Sequence, residues 1–241
     1  LILHRSSNVV IENSSFYDTY YGIYGLNSNN FTIKNNTFKG ADNSGVYAET
    51  ISTTQESRIE NNLFDSNWKG IDFTNNVLFI INNTLQHQGS GSGSHAIEDS
   101  GINTTITDNI IYNNTGYGIT SSSDYALVES NNISNNGYVG AYVVGDYAVV
   151  ENNTFVANNF NGGVGFYSLR ISGNANATYN DFVNNNYIAI KVYNDNNLIA
   201  GNNITGDNTS SGVDFDSTSE YNIVTGNQIR DIGNNVASGA K

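Results

Sequence analysis

Two carboxylates, Asp72 and Glu98, occupy matching places in the triplets Gly70-Ile71-Asp72 and Ala96-Ile97-Glu98. The chemistry such a pair offers is glycoside hydrolysis, in which one carboxyl protonates the leaving oxygen and the other assists from the opposite side. Tyr24, Tyr47 and Tyr142 hold the same place in other triplets and are candidate sugar contacts. Beside the pair lies an insertion, Gln86-His87-Gln88-Gly89, followed by a Gly/Ser run to Ser94 and then His95. It reads as a surface loop near a cleft. It is not a phosphate loop, because the following Lys and Ser/Thr are missing. Against catalysis stands the background: Glu12, Glu60, Glu129 and Glu151 are also acids on outward positions. The expectation is no dedicated catalytic residue, with Asp72 and Glu98 the candidates if there is one.

The elements that must position these residues repeat along the chain. VVIENSSF (9–16), FTIKNNTF (31–38), SRIENNLF (57–64), LFIINNTL (78–85) and TTITDNII (104–111) share one pattern. ALVESNNI (126–133), AVVENNTF (148–155), NATYNDF (176–182), NLIAGNNI (197–204) and NIVTGNQI (222–229) continue it. The closing apolar residues, Phe16 to Ile229, recur every 21 to 27 residues. Two residues before them stands an amide: Asn36, Asn62, Asn83, Asn109, Asn131, Asn153, Asn180, Asn202 and Asn227, with Ser14 in the first repeat. Stacked coil upon coil, these amides form a structural ladder that satisfies buried polar groups. Five residues before each anchor is an aliphatic residue, from Ile11 to Val224, that faces a core.

A second strand follows in each repeat: GIY (22–24), GVY (45–47), GID (70–72), AIE (96–98), GIT (118–120), GAY (140–142), GVG (163–165), AIK (189–191) and GVD (212–214). Each opens with Gly or Ala, as close coil approach requires. The outward column so defined runs Tyr24, Tyr47, Asp72, Glu98, Thr120, Tyr142, Gly165, Lys191, Asp214. Short β-branched strands and Asn/Gly turns at a fixed period predict an all-β fold. It is a single-stranded right-handed parallel β-helix of about ten coils, one domain over 1–241. At the strand spacing of ~4.8 Å, ten coils make a rod about 45 Å long.

Composition bounds the partners. The net charge is −13, with 9 basic and 22 acidic residues, so nucleic acid is excluded and anionic polysaccharide disfavoured. The chain has 44 Asn and no Pro, Cys or Met. No disulfide or thiolate site is available, and no apolar run approaches the ~20 residues of a membrane span. No dedicated metal motif is present and no cofactor is expected; the acidic balance admits divalent cations such as Ca²⁺ as partners. Sequons at Asn13, Asn30, Asn103, Asn113, Asn176 and Asn208 are glycosylation candidates. The repeats run almost from end to end without a capping helix. This predicts either a piece of a longer chain or an end-to-end assembly of copies.

The repeat pattern resembles that of the pectin-lyase-like superfamily, and more closely the NosD-type and carbohydrate-binding/sugar-hydrolase β-helix repeats, whose coils read I-x-N-N-x-F followed by G-I. The resemblance covers Val9 to Ile229. It implies the fold, and a range of roles from lyases, hydrolases and epimerases to adhesins and surface-layer proteins. A copper role, implied by NosD-type relatives, fails on ligands: only His4, His87 and His95 are present. The arginines are scattered, unlike the basic cluster of pectate lyases. Alginate-epimerase-like modules carry Tyr-Gly-(Phe/Ile)-Asp-Pro-His; the nearest strings here, Tyr21-Gly22-Ile23-Tyr24 and Tyr117-Gly118-Ile119-Thr120, lack the Asp, Pro and His, so neither the lyase nor the epimerase activity is supported. The leading expectation is a non-catalytic extracellular or cell-surface component of a surface layer, sheath, filament or adhesin, with other copies or other surface proteins as partners. The alternative is a protein that binds or cleaves neutral polysaccharides.

Overall fold

A computed structural model describes residues 1–49, 56–74, 77–89, 91, 93–161, 167–206 and 209–232. Among the described residues thirty strands, β1 (Ile2–His4) to β30 (Gln228–Arg230), stack in three parallel sheets of ten. Every third strand belongs to the same sheet, so each coil contributes one strand to each. The first sheet runs from β1 to β28 (Thr209–Phe215), the second from β2 (Ser7–Glu12) to β29 (Ile223–Thr225), and the third from β3 (Ser15–Tyr17) to β30. Among the described residues there is no helix, and so none able to cross a membrane.

The anchor residues stack inside the third sheet. Phe38 lies 4.9 Å from Phe16 and 4.8 Å from Phe64, and Phe155 lies 4.8 Å from Phe182, all with nearly parallel rings. The aliphatic column from Ile11 to Val224 is in register within the second sheet and buried over its length except at the last coil. Each buried Phe or Ile contributes ~1.5–3 kcal/mol. Parallel stacking of like on like lets one short pattern fill a long core.

Between the second and third sheets the chain bends at one left-handed residue, such as Asn35 (φ 56°), Asn61 (58°), Asn82 (52°) or Asn152 (55°). Asparagine reaches that region at least cost after glycine. The next residue is the ladder amide, which explains the Asn-Asn pairs. Each ladder Nδ2 donates to the Oδ1 one coil on: Asn36 to Asn62 (3.1 Å), Asn62 to Asn83 (3.0 Å), Asn109 to Asn131 (3.0 Å) and Asn131 to Asn153 (3.0 Å). The row ends with Asn202 to Asn227 (2.9 Å). In the first repeat the Ser14 backbone N–H donates to Asn36 Oδ1 instead.

The structure adds a second ladder that the sequence reading missed. Asn67, Gln88, Asn114, Asn136, Asn158 and Asn185 follow the first ladder by five residues and line the turn from third sheet to first. That constant offset was the available signal. Gln88 fits because its Oε1 accepts from the Asn67 N–H while its Nε2 donates to the Phe64 and Gln86 carbonyls.

One strand assignment changes. In the eighth coil the first-sheet strand is β22 (Tyr167–Ile171), with Ala141, Tyr142 and Val143 opposite Leu169, Arg170 and Ile171. Leu169 and Ile171 place two fully buried aliphatic side chains in the core columns. The expected triplet 163–165 offers only Val164 between glycines and lies outside the described residues. Ser168, not Gly, therefore opens the buried step, and Arg170 replaces Gly165 in the outward column.

Candidate functional site on the first sheet

The first-sheet strands carry a repeated burial pattern in which two successive residues face inward. In β10 (Lys69–Thr74), β13 (His95–Asp99) and β16 (Tyr117–Ser121), half-buried residues flank a buried Gly or Ala and a buried Ile. The chain turns a corner at that Gly or Ala. A β-carbon on Gly70 would stand 2.6 Å from the Ala96 carbonyl oxygen and 2.8 Å from Leu85. Because of this double inward step, residues three apart both point outward. Lys69 joins Asp72, His95 joins Glu98, Tyr117 joins Thr120 and Tyr167 joins Arg170. Two outward columns thus stand side by side, and the sequence reading found only one of them.

Asp72 and Glu98 are direct register partners on neighbouring coils, as expected. They do not face one another across an open gap. Both ion-pair with the Lys69 ammonium, at 2.8 Å for Asp72 and closer for Glu98. Burial lowers the Lys69 pKa, but hydrogen bonds and charge from the two carboxylates outweigh it and leave the pKa raised above 10.5. His95 Nε2 lies 4.0 Å from Glu98 Oε2, and Nδ1 lies 2.8 Å from the Thr120 hydroxyl. The imidazole stacks on Tyr117 with centroids 5.0 Å apart. Burial is the main reason that its pKa falls below 6.5; Glu98 opposes and Lys69 adds to the fall. At neutral pH His95 is therefore an uncharged imidazole able to take up a proton.

Higher on the same face, Arg170 lies over two tyrosines, with its guanidinium carbon 4.5 Å from the Tyr142 ring centre and 3.9 Å from that of Tyr193. Its Nε is buried without a hydrogen-bond partner, and among the described residues Arg170 has no ion pair. Lys191 pairs with Asp214 at 2.7 Å. At the other end Tyr24 and Tyr47 stack on each other, 5.3 Å apart and 12° from parallel, with Tyr21 tilted against both. These tyrosines thus present edges and hydroxyls rather than open ring faces. The structure brings Tyr24, Tyr47, Asp72, Glu98 and Tyr142 onto one face and adds Lys69, His95, Tyr117, Tyr167, Arg170 and Tyr193.

Among the described residues of the Gly/Ser insertion, contacts run to one another and to Trp68. Gly89 and Ser94 meet so closely that a β-carbon on Gly89 would fall 1.8 Å from that of Ser94. The Ser94 N–H and hydroxyl both donate to the Gly91 carbonyl, at 3.1 and 2.7 Å. Gly91 and Gly93 of the insertion lie against the Trp68 ring. Of the sequons, Asn13, Asn30, Asn103 and Asn113 are exposed and Asn176 is half-buried; Asn208 lies outside the described residues. Among the described residues no group of three His, Asp or Glu side chains is placed to hold a metal ion.

A family model described as the right-handed β-helix region matches residues 1–126 and 120–240. The chain belongs to that family. No curated protein matches it. Among solved structures it is similar to the A-module of the mannuronan C-5 epimerase AlgE4 of Azotobacter vinelandii, with a TM-score of 0.61 and 15% identity over 95% of this chain and 81% of that one. The A-module of AlgE6 from the same organism aligns with a TM-score of 0.41 and 12% identity over 96% and 85%. The first likeness is one of fold.

Proposed function

We propose that this protein binds a polysaccharide along the outer face of the first sheet, with the sugar chain parallel to the rod axis. The observation that carries the reading is the convergence of Lys69, Asp72, His95 and Glu98, flanked along the same face by Tyr24, Tyr47, Tyr117, Tyr142 and Arg170. Carboxylates, an ammonium, a guanidinium and phenol hydroxyls supply the acceptors and donors that sugar hydroxyls need. The regular coil rise repeats them along a line, as a polymeric ligand requires. The fold of the mannuronan epimerase module, a polysaccharide-modifying protein, is consistent with such use. Net charge −13, with Asp72, Glu98 and Asp214 on the face, favours neutral glycans. The structural or adhesive role favoured by composition, at the cell surface or outside the cell, has no side-chain arrangement of its own in support.

The test is binding of neutral oligosaccharides to the protein and to Glu98→Gln and Arg170→Gln variants, by calorimetry. Saturable binding weakened about tenfold by either substitution supports the reading. Binding by no glycan in a broad array, or binding unchanged in both variants, overturns it.

His95 favours a second reading, in which the same face also moves a proton on its ligand. A neutral imidazole whose Nδ1 is held by Thr120 is oriented to act as a base through Nε2. Release of reducing ends, or exchange of sugar carbon-bound hydrogen with deuterated water, checks this. Either activity should fall at least a hundredfold in His95→Gln.

A further inference from the structure

A separate pocket of about 310 Å³ opens on the turn between the third and first sheets. It is lined by Trp68, Asp42, Ser66 and His87, with Ala41, Asn67 and Gly89 at its base. Trp68 is the sole tryptophan. Its backbone N–H donates to the Ala41 carbonyl at 2.9 Å, which ties the chain at this residue to the coil below. Gly91 and Gly93 lie along the benzo edge; β-carbons there would stand 3.9 and 3.7 Å from it. Neither glycine carries a side chain over that edge. His87 is steered by Asp65, 3.0 Å from its Nδ1, and half of its ring remains exposed. Asn67 is committed to the second ladder and is not free to bind. Trp68 directly precedes Lys69, so the chain runs from the pocket into the charged cluster of the first sheet.

We propose that this pocket binds one neutral sugar residue branching from the glycan on the first sheet, which makes branched chains the preferred ligand. The branch assignment rests on the polysaccharide reading; the pocket's affinity for a sugar does not. One flat indole, a carboxylate, a hydroxyl and an imidazole supply the apolar contact, acceptors and donors that suit a pyranose. Among the described residues no aliphatic side chain larger than alanine lines the pocket, so a lipid tail has only the indole to bury against. Anions are disfavoured by Asp42, and the nearby Lys39 is taken by Asp65 at 3.1 Å.

Because Trp68 is unique, tryptophan emission reads this pocket alone. The wild-type protein is titrated with glucose, galactose, mannose and xylose, and with tetramethylammonium as a cationic control. A saturable emission change with at least one sugar, lost in Asp42→Ala, is expected. Trp68→Ala should then weaken a singly branched oligosaccharide about tenfold and leave its linear backbone unaffected, with Trp68→Phe intermediate. Emission unmoved by every sugar, or moved by tetramethylammonium alone, overturns the pocket. Equal weakening of branched and linear chains by Trp68→Ala overturns the branch assignment. A persistent monosaccharide response with no oligosaccharide binding to the first sheet would sink the polysaccharide reading and keep the pocket.

Discussion

The flank of the third sheet carries Asp65 and the interior of the first carries Asp99, and the two answer to pH in opposite senses. Asp65, on the outer side of β9 (Leu63–Asp65), is partly desolvated, which raises its pKa. Hydrogen bonds from His87, Lys39 and Ser66 outweigh that and bring it down to about 2. Asp99, at the end of β13, points into the core. Burial there pushes its carboxyl up to about 6, against hydrogen bonds from the hydroxyls of Ser121 (2.9 Å) and Thr104 (3.0 Å) and the N–H of Gly101 (3.2 Å). The same residue type stabilises one place and strains the other, because only Asp65 has cations beside it. The flank of the third sheet, bounded by two amide ladders and stacked phenylalanines, is where stability concentrates. The first sheet gathers the charged and titratable groups, and its interior gives up stability at Asp99.

The largest expected effect lies in the third-sheet ladder. Asn131→Ala removes a side chain that accepts from Asn109 and donates to Ile106 O (2.8 Å), Glu129 O (2.9 Å) and Asn153 (3.0 Å). It should cost ~3–5 kcal/mol in denaturant unfolding, through several buried groups left unpaired. A loss below ~1 kcal/mol would break the contrast between the two regions.

Next is Asp99→Asn. A folded pKa of about 6 against 3.8 unfolded means that the protonated form is favoured in the fold. Stability from this group is fullest below 3.8 and is lost as pH rises to about 6, by roughly 3 kcal/mol. The amide should therefore raise stability by ~1–3 kcal/mol at pH 8 and by little at pH 4. His95, held neutral by burial, works the other way, since its contribution fades as pH falls below 6.5. The difference between wild type and Asp99→Asn isolates the aspartate.

Asp65→Asn should act with the opposite sign and less strongly. A pKa lowered from 3.8 to about 2 contributes stability that is present above 3.8 and lost as pH falls toward 2. Lys39 and His87 are half-exposed, which screens the effect. A loss of ~1 kcal/mol at pH 7, vanishing near pH 2, is the expected outcome of thermal or urea unfolding.

The smallest effect belongs to Tyr125→Asn. Tyr125 sits at φ 58°, where asparagine is at ease, but its ring stacks on Tyr147 at 5.3 Å. Relief of backbone strain and loss of the stack should cancel to within ~1 kcal/mol.

The chain itself determined the coil, its period, the Phe/Ile columns and the first Asn ladder. In a solenoid each coil meets a copy of its own pattern, so local chemistry and long-range contact are the same fact. That Asp72, Glu98, Tyr24, Tyr47 and Tyr142 share one outward column was legible for that reason. Tertiary structure decided what depends on how unlike coils align. Which segment of the eighth coil enters the first sheet, and hence Arg170, follows from burying Leu169 and Ile171 together. Lys69 and His95 join the carboxylates only because the chain turns a corner at Gly70 and Ala96, a double inward step that simple alternation does not contain. The pocket beside Trp68 takes its walls from three successive coils with different loop lengths. No single repeat encodes it, because its shape comes from the differences between repeats rather than from what they share.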